Sequence, residues 1–427
     1  MNVKIIPNGL NGNIIAPLSK SNAHRVLVAS ALCKDPTEIT LSYVSDDIHA
    51  TIRCLKAMGA NISILDKAHL CVEPIPVHKI SSPVVLNCGE SGTTLRLLLP
   101  IVSALGADAM FTASGRLPER PLRELVTALT ENGCHLSASK PPFTLNGKLT
   151  PGDYKLLGNV SSQYISGLLY ALVLLDGRSR IIITTKLESA SYVEMTLHTL
   201  KNFGIYVDKT EAGYFIEGRQ QYVSPESVAI EGDWSNAAFF LAAGALSGKV
   251  AVAGLSPVSL QGDRAICDLL KKFGADVHIE GSKVTVCEGE LHGIDIDVSD
   301  VPDLFPVLAV VASVANGTTR LMNAARLRIK ESDRIHSVAI MLNKIGAEVL
   351  EQPDSLIIYG KPYLTGGTID SWNDHRIVMA AAVASVFCRE PVTIKGAEAV
   401  AKSYLQFFDN FNAIGGNASV INAGQEN

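Results

Sequence analysis

The chain has 427 residues, enough for two domains of ordinary size that each have a hydrophobic core. Hydrophobic residues make up 47% of it and charged residues 19%, a composition that excludes an intrinsically disordered protein. The net charge of −5 argues against a protein whose whole surface binds nucleic acid or an anionic membrane. A site for an anion must therefore be a local cluster of Lys and Arg.

The start of the chain and its cysteines indicate a cytoplasmic protein. The first residues, MNVKIIPNG, do not have the layout of a signal peptide, and no apolar run reaches the ~18 residues that a membrane span requires. The eight cysteines form no CxxC pair and show no metal-ligand spacing. We therefore expect reduced thiols in the core of a soluble protein.

The first predicted helix, in the segment IIAPLSKSNAHRVLVASA at 14–31, has an unusual beginning. Lys20, Ser21, His24 and Arg25 are crowded at its start, and the rest of the helix is apolar. Positive charge at a helix N-terminus opposes the helix dipole, so cations there must face water or an anion. The segment therefore indicates an anion site at the beginning of a buried helix.

Five later helices share the polar start and the apolar body of the first, and they follow it in phase. The equivalent places, 69–72 residues apart, are Lys20, Gly92, Ser161, Asp233, Asp303 and His375. Helices that are apolar on every face are buried, and their first turns carry backbone N–H groups without helical partners. We therefore expect six buried helices whose polar ends reach a surface.

A second pattern closes each repeat with an amphipathic helix that ends at a glycine, followed by two short β segments. The six glycines, at intervals of 74, 71, 70, 72 and 69 residues, are Gly59, Gly133, Gly204, Gly274, Gly346 and Gly415. Each fits the left-handed position that ends a helix, so six repeats fill the chain. We favour two globular domains of three repeats each. Their buried helices would point their N-termini into one positively polarised cleft.

Nine polar segments carry a resemblance to a known family. They are SKSNAHR at 19–25, GESGTTLR at 89–96, LPERP at 117–121, VSSQYIS at 160–166, EGDWSNAAFFLAA at 231–243, VPDLFP at 301–306, LRIKESDR at 327–334, NDHRIVMA at 373–380 and AKSYLQFF at 401–408. In content and order they resemble the 5-enolpyruvylshikimate-3-phosphate synthases, within the enolpyruvyl transferases. Among these segments, SSQ, KESDR and NDHR are specific to this enzyme family rather than to the wider superfamily.

The resemblance implies an α/β fold of two similar domains, each of three βαβαββ units with buried parallel helices and surface sheets. A cleft would lie between the domains. The chain would start in one domain, build the other and then return. The first domain, on the shikimate 3-phosphate side, is expected at 19–226, and the second, on the phosphoenolpyruvate side, at 1–18 plus 227–427.

The reaction implied by the resemblance belongs to the shikimate pathway of aromatic amino acid biosynthesis. It moves the enolpyruvyl (carboxyvinyl) group of phosphoenolpyruvate to the 5-hydroxyl of shikimate 3-phosphate and releases phosphate through a tetrahedral intermediate, giving the precursor of chorismate. No metal or other cofactor is implied. The enzyme is expected to be a monomer that binds neither nucleic acid nor membrane, and a target of the phosphonate glyphosate.

The same resemblance implies roles for individual residues. By motif match, Asp303 would be the base for the 5-hydroxyl and Glu331 a proton donor or relay to the vinyl methylene, although the sequence does not decide which carboxylate performs each step. Lys20 would contact both substrates, and Gln163 would lie between them. The other contacts expected for shikimate 3-phosphate are Ser21, Arg25, Ser161, Ser162, Ser189 and Lys330. Those expected for phosphoenolpyruvate are Gly92, Arg120, Arg334, Arg376 and Lys402.

Four positions depart from the family pattern without removing a charged catalytic residue. Leu18 and Glu90 stand where the family usually has Gly and Asn, and Leu405 stands where many members have Pro. Arg326 occupies a place where some members carry an Asn that contacts the ligand. A contact from Arg326 therefore stays an open question at this point.

Three other functions remain as alternatives. UDP-N-acetylglucosamine enolpyruvyl transferase shares the chemistry, but its loop carries a Cys before an Arg-Pro, and the loop ASGRLPERP has none. A nucleotide-dependent phosphotransferase is disfavoured because neither GxxxxGK[ST] nor GxGxxG occurs. A non-catalytic anion-binding protein would have no use for Asp303 and Glu331, because carboxylates in a cationic cleft weaken anion binding.

Overall fold

The structure is a computed structural model that describes residues 1–41, 43–76, Ile80 and 82–421. Its internal contacts divide the chain into two compact units. The first unit is Leu18–Ile230, and the second unit is Met1–Pro17 together with Glu231–Asn427. Each unit is described below by itself.

Twelve α-helices lie in the described ranges. Those of the first unit are α1 (Lys20–Ala31), α2 (Asp46–Ala57), α3 (Gly92–Leu105), α4 (Arg123–Thr130), α5 (Ser162–Leu172) and α6 (Ala190–Asn202). Those of the second unit are α7 (Trp234–Leu246), α8 (Ile266–Phe273), α9 (Phe305–Ala312), α10 (Arg334–Lys344), α11 (His375–Ser385) and α12 (Phe407–Ala413). None of these twelve helices is both long and apolar enough to cross a membrane.

The described residues also form 24 short strands. The N-terminal part of the second unit contains β1 (Asn2–Ile5) and β2 (Leu10–Ile15). The first unit contains β3 (Thr37–Thr40), β4 (Asn61–Ile64), β5 (His69–Glu73), β6 (Val84–Asn87), β7 (Ala109–Thr112), β8 (Cys134–Leu136), β9 (Phe143–Gly147), β10 (Asp153–Leu156), β11 (Ser179–Ile183), β12 (Asp208–Thr210), β13 (Gly213–Ile216) and β14 (Ser227–Ala229). The remainder of the second unit contains β15 (Gly248–Ala253), β16 (Asp276–Glu280), β17 (Lys283–Cys287), β18 (Asp295–Asp297), β19 (Thr318–Met322), β20 (Glu348–Glu351), β21 (Leu356–Tyr359), β22 (Gly367–Asp370), β23 (Val392–Lys395) and β24 (Ala418–Ile421).

The strands form six four-stranded sheets of one plan. Their orders are β14-β3-β5-β4, β6-β7-β9-β8 and β10-β11-β13-β12 in the first unit, and β2-β15-β17-β16, β18-β19-β21-β20 and β22-β23-β1-β24 in the second. In every sheet the first two strands are parallel and the other neighbours are antiparallel. All six glycines of the repeat have a positive φ, between 76° and 109°. The repeat predicted from the glycine spacing is therefore confirmed.

The sixth repeat differs from the expected continuous hairpin. After Gly415, strand β24 pairs antiparallel with β1 from the beginning of the chain, so β1 takes the place of the second hairpin strand. Strand β2 pairs parallel with β15 in a second sheet of the same unit. Residues 1–17 therefore belong to the second unit because their backbone groups are hydrogen-bonded within its sheets.

The six helices predicted from their polar starts lie in the cores of the two units. Every residue of α7, α9 and α11 is buried, and α1, α3 and α5 are buried from their first or second turn onward. The side chains of Ser19, Ser91 and Ser161 cap α1, α3 and α5 by accepting a backbone N–H of the first turn. Asp233 and Asp374 cap α7 and α11 in the same way. The polar starts are therefore helix caps as well as candidate ligand contacts.

Helix α9 departs from this plan. It begins at Phe305, so Asp303 lies two residues before the helix instead of inside its first turn. Pro306 stands in the first turn, where its missing N–H costs no helical hydrogen bond. Because Asp303 is outside the helix, its side chain is available to residues of other helices.

Candidate active site

The N-terminal turns of α1, α3 and α5 lie side by side at one end of the core of the first unit. Gln163 Nε2 in α5 donates to Thr93 Oγ1 in α3 over 2.7 Å. His24 Nδ1 in α1 and Thr94 Oγ1 in α3 both hydrogen-bond the hydroxyl of Thr51 in α2, each over 2.7 Å. The three helix ends therefore bring their backbone N–H groups close together, as an anion site requires.

Lys20 has a carboxylate partner at this end of the unit. Its Nζ donates to Asp47 Oδ2 over 2.8 Å, and both side chains are mostly buried. Asp47 lies in the first turn of α2, where the helix dipole favours an acid. From the sequence we expected a bound anion to offset the charge at the start of α1. Part of the negative charge that balances Lys20 is instead supplied by the Asp47 carboxylate of the neighbouring helix α2.

Arg25 fixes the start of α1 to α6. Its side chain is buried, and it donates from Nε to Thr196 Oγ1 over 2.9 Å, from Nη1 to Ser21 O over 2.7 Å and from Nη2 to Tyr192 O over 2.8 Å. Ser189, the N-cap of α6, is buried and has a left-handed backbone with φ 52°. Non-glycine residues rarely adopt this conformation, and such strain is concentrated at functional sites.

Gly92 lies against two guanidinium groups. A Cβ at this position would be 2.5 Å from Arg96 Nη1 and 3.0 Å from Arg120 Nη1. The buried Arg96 donates from Nη1 to Gln163 Oε1 over 3.0 Å and from Nη2 to Pro121 O over 3.0 Å. The structure therefore brings the predicted site residues Gly92, Arg120 and Gln163 together around Arg96.

Ser161 and Ser162 stand at the beginning of α5, next to this group. The Ser161 hydroxyl accepts the backbone N–H of Gln163 over 3.3 Å, and Ser162 is the first helical residue. A helix N-terminus with two hydroxyl groups combines donors and a favourable dipole for a phosphate. Within the first unit, the serines and Gln163 thus form one surface with Gly92.

Asp303 lies between two arginines of the second unit. Its Oδ1 accepts Arg334 Nη1 over 2.9 Å, and its Oδ2 accepts Arg376 Nη2 over 2.8 Å. The arginine side chains are 1% and 5% exposed, so water screens these ion pairs little. Charge-assisted hydrogen bonds of this kind are among the strongest in proteins.

Arg334 also binds two further carboxylates. Its Nη2 donates to Glu331 Oε2 over 2.8 Å, and its Nε donates to Asp374 Oδ2 over 2.9 Å. Asp374 is fully buried and also accepts the backbone N–H of Arg376 over 3.0 Å. We call Asp303, Glu331, Arg334, Asp374 and Arg376 the Arg334 cluster. In this cluster Asp303 and Glu331, the two candidate proton-transfer residues, both accept hydrogen bonds from the guanidinium group of Arg334.

The charges of this cluster shift the proton affinity of its members. Burial alone would raise the pKa of Asp303, but Arg376, Lys330 and Arg334 hold that pKa well below its ordinary value. Burial lowers the pKa of Lys330 to about 8, although the charge of Asp303 acts in the opposite direction. Asp303 is therefore a carboxylate at neutral pH, and it is a weak base while both ion pairs persist.

Lys402 lies close to the beginning of α11. Its side chain is buried, and its Nζ donates to Asn373 O over 2.6 Å. The next residue, Ser403, accepts Nδ2 of Asn236 in α7 over 3.0 Å. These bonds connect the starts of α7 and α11. Among the described residues, no group of three or more His, Cys, Asp and Glu side chains could hold a metal ion.

Sequence reasoning missed Asp47, Arg96 and Asp374 as partners of the predicted residues. Arg96 and Asp374 stand in the quoted segments GESGTTLR and NDHR, but a motif does not show which neighbouring helix a side chain meets. Asp47 stands in no motif. Arg326, whose role the sequence left open, is mostly buried and donates from Nη2 to Ser299 O over 2.8 Å, within its own unit.

A family model described as EPSP synthase (3-phosphoshikimate 1-carboxyvinyltransferase) matches residues 5–411. The chain belongs to this family. A relative from Clostridium novyi, named 3-phosphoshikimate 1-carboxyvinyltransferase, is 43% identical over 97% of this chain and 98% of its own length. A relative of the same name from Clostridium kluyveri is 45% identical over 97% of both chains.

Solved structures give the same family and fold. An EPSP synthase from Acinetobacter baumannii is 27% identical, with a TM-score of 0.81 over 98% of this chain and all of that chain. The enolpyruvyl transferase NikO from Streptomyces tendae is 16% identical, with a TM-score of 0.76 over 98% of both chains, a likeness of fold alone. The expected EPSP synthase family and the expected α/β fold are therefore confirmed.

Proposed function

We propose that the chain transfers the carboxyvinyl group of phosphoenolpyruvate to the 5-hydroxyl of shikimate 3-phosphate, with release of phosphate, on the route to chorismate. The observation that carries the proposal is Asp303 held between Arg334 and Arg376. Carboxylates beside arginines weaken the binding of anions, so a protein that only binds anions has no use for them. The family match and the names of the relatives support the same reaction.

We assign shikimate 3-phosphate to the first unit. The compact unit Leu18–Ile230 supports the division expected at 19–226. The phosphate would be bound by the hydroxyl groups of Ser161, Ser162 and Ser189 and by the backbone N–H groups of α5. Arg25 commits three of its five N–H groups to protein acceptors, so it can offer two to a ligand beside Ser21. Lys330 is the remaining residue proposed to contact this ligand.

We assign phosphoenolpyruvate to the arginines. Its phosphate and carboxylate need several cationic donors in one place, and bidentate guanidinium groups suit both. Lys20 would contact both substrates, and Gln163 would lie between them. The residues proposed to hold phosphoenolpyruvate itself are Gly92, Arg120, Arg334, Arg376 and Lys402.

In the proposed mechanism the 5-hydroxyl oxygen forms a bond to C2 of phosphoenolpyruvate. Asp303 takes the hydroxyl proton, and Glu331 in its protonated form gives a proton to C3, which yields a tetrahedral intermediate. The C2–O bond to phosphate then breaks, and the proton held by Asp303 leaves on the phosphate. The Glu331 carboxylate takes a proton back from C3, and the double bond forms again. Anions bound to Arg334 and Arg376 would weaken the hold of these arginines on Asp303. The proton affinity of Asp303 would thereby rise toward that of a useful base.

Phosphate release measured with purified chain tests the proposed reaction. We expect release from phosphoenolpyruvate when shikimate 3-phosphate is present and none when UDP-N-acetylglucosamine replaces it. Mass spectrometry should find the enolpyruvyl ether of the first acceptor. Release with the nucleotide sugar, or binding of both ligands without turnover, would contradict the proposal.

Gly92→Ala is expected to weaken inhibition by the phosphonate glyphosate at least about tenfold and to raise the KM for phosphoenolpyruvate less. The added methyl group would meet Arg96 and Arg120, which must move away from the anion site. Inhibition constants and KM measured together test this. Gly152→Ala is the control, because its methyl group would meet only Asn132 Oδ1, at 2.9 Å, and neither residue is among the predicted site residues. Equal inhibition constants in wild type and Gly92→Ala would contradict the placement.

The KM for shikimate 3-phosphate is expected to rise as the pH increases from 7 to 9. Lys330 has a pKa of about 8, so it is charged below that pH and loses its charge above it. The ligand phosphate is already doubly ionised in this range. Lys330→Arg keeps the positive charge at every pH of the series, so its KM should stay level. The same rise in both proteins would exclude Lys330 as the group responsible.

We further propose that the chain acts as a monomer in the cytoplasm. All eight cysteines are free, which supports a reducing compartment. The net charge of −5 supports small-molecule substrates over nucleic acid or membrane partners. Light scattering after size exclusion should give the mass of one chain, and a dimer mass would contradict the monomer.

A further inference from the structure

A buried carboxyl group of the second unit is not among the predicted site residues. Asp263 precedes α8 and is 1% exposed. Its Oδ2 accepts the hydroxyl of Ser235 in the first turn of α7, and its Oδ1 is buried without a hydrogen-bond partner in the described part of the chain. A buried carboxylate oxygen without a donor is costly, so its presence needs an explanation.

The position of α7 does not require Asp263. The neighbouring Gln261 already fixes the start of this helix, since its Oε1 accepts the Trp234 N–H over 3.0 Å and its Nε2 donates to Gly232 O over 2.8 Å. A neutral side chain could accept the Ser235 hydroxyl equally well. The charge of Asp263, rather than its hydrogen bond, is therefore the feature that requires a role.

The charges that act on the Asp263 carboxyl group stand at the beginnings of three helices. They are Asp233, the N-cap of α7, Asp303 before α9, and Arg376 in the first turn of α11. Arg264 of its own segment donates to Pro257 O instead. Of the three facing charges, only that of Arg376 favours an ionised Asp263. Asp263 is therefore buried against the first turn of α7, within the electrostatic influence of the Asp303–Arg376 ion pair.

We propose that Asp263 is a positioning residue that acts through Arg376 on the binding of phosphoenolpyruvate. While Asp263 holds a proton, Arg376 offers its charge to Asp303 and the bound anion. Once Asp263 is ionised, a further negative charge opposes the anion at the same guanidinium. Burial and the charge of Asp303 raise the pKa of Asp263 to about 7, so the change occurs near neutral pH. This inference rests on the proposed function, since it takes phosphoenolpyruvate as the ligand of Arg376.

The KM for phosphoenolpyruvate, measured from pH 6 to 8.5 at saturating shikimate 3-phosphate, tests the role. We expect the KM for phosphoenolpyruvate to rise as the pH increases through 7. The factor of this rise should be about ten times larger in wild type than in Asp263→Asn and Asp263→Ser. By linkage, a ligand that shifts the pKa of Asp263 by one unit binds tenfold more weakly to the ionised form. Titration of the ligand phosphate and of Lys330 is common to all the proteins, so the difference between their profiles isolates Asp263.

Ser235→Ala is the matched control. It keeps the carboxyl group and removes the hydroxyl that stabilises its ionised form, so the rise in KM should persist with a midpoint at higher pH. Equal rises in wild type and both Asp263 variants would overturn the inference. The inference would also be overturned if the KM for phosphoenolpyruvate increased by the same factor at every pH in Asp263→Asn, Asp263→Ser and Ser235→Ala, because that result indicates a structural role. Absence of phosphate release in wild type would instead refute the proposed function.

Discussion

Asp303→Ala is expected to lower kcat by roughly 10²- to 10⁴-fold, the usual contribution of a general base. The KM for phosphoenolpyruvate should stay level or fall, because Arg334 and Arg376 each lose a competing carboxylate. Steady-state phosphate release, measured over both substrate concentrations, separates the two constants.

The exposed Asp300, in the same loop, supplies the control for this experiment. Asp300→Asn removes one negative charge outside the Arg334 cluster and should leave kcat within about twofold of wild type. If Asp303→Ala instead lost affinity as much as turnover, Asp303 would be a binding residue, and the proton transfer would have to be assigned elsewhere.

Arg334→Ala is expected to lower the free energy of unfolding by about 3–5 kcal/mol, as when one partner of a buried ion pair is removed. The change leaves Asp374 buried without its main cation and removes a partner from Asp303 and Glu331. Urea unfolding at pH 7 measures the loss. Burial would raise the pKa of Asp374, but the charge and hydrogen bond of Arg334, together with His375, lower this pKa in the folded chain. The stabilisation therefore exists above the unfolded pKa of about 4. It should diminish as the pH falls below 4.

Arg328→Ala is the matched control for Arg334→Ala. Arg328 also binds two carboxylates, Asp333 and Glu351, each over 2.9 Å, but all three side chains are about 30% exposed. Its removal should therefore cost about 0–1 kcal/mol. Equal losses of stability in the two variants would show that the buried cluster stabilises the chain no more than a surface pair does.

Much of the fold was predictable because its signals are local. The six glycines each end a helix, and the six polar starts each begin a buried one, so both patterns can be read at a fixed spacing in the sequence. The pairing of β24 with β1 could not be read in this way. It joins the two ends of the chain, and short strands carry no local mark of a distant partner.

The candidate site was predictable only as a set of residues. Motifs singled out Asp303, Arg334 and Arg376, and the structure joins these three by hydrogen bonds. The partner of Lys20 and the buried carboxyl of Asp263 were not predicted. Each depends on which helix packs beside which, and that information arises only from tertiary packing.

A crystal structure of the chain with shikimate 3-phosphate and glyphosate bound would decide whether these residues form the active site. We predict that the phosphate of the acceptor contacts the hydroxyl groups of Ser161, Ser162 and Ser189. The 5-hydroxyl should lie about 2.6–3.2 Å from the Asp303 carboxylate, as proton transfer requires. An acceptor bound away from these serines, with its 5-hydroxyl out of reach of Asp303, would contradict the proposed site and mechanism.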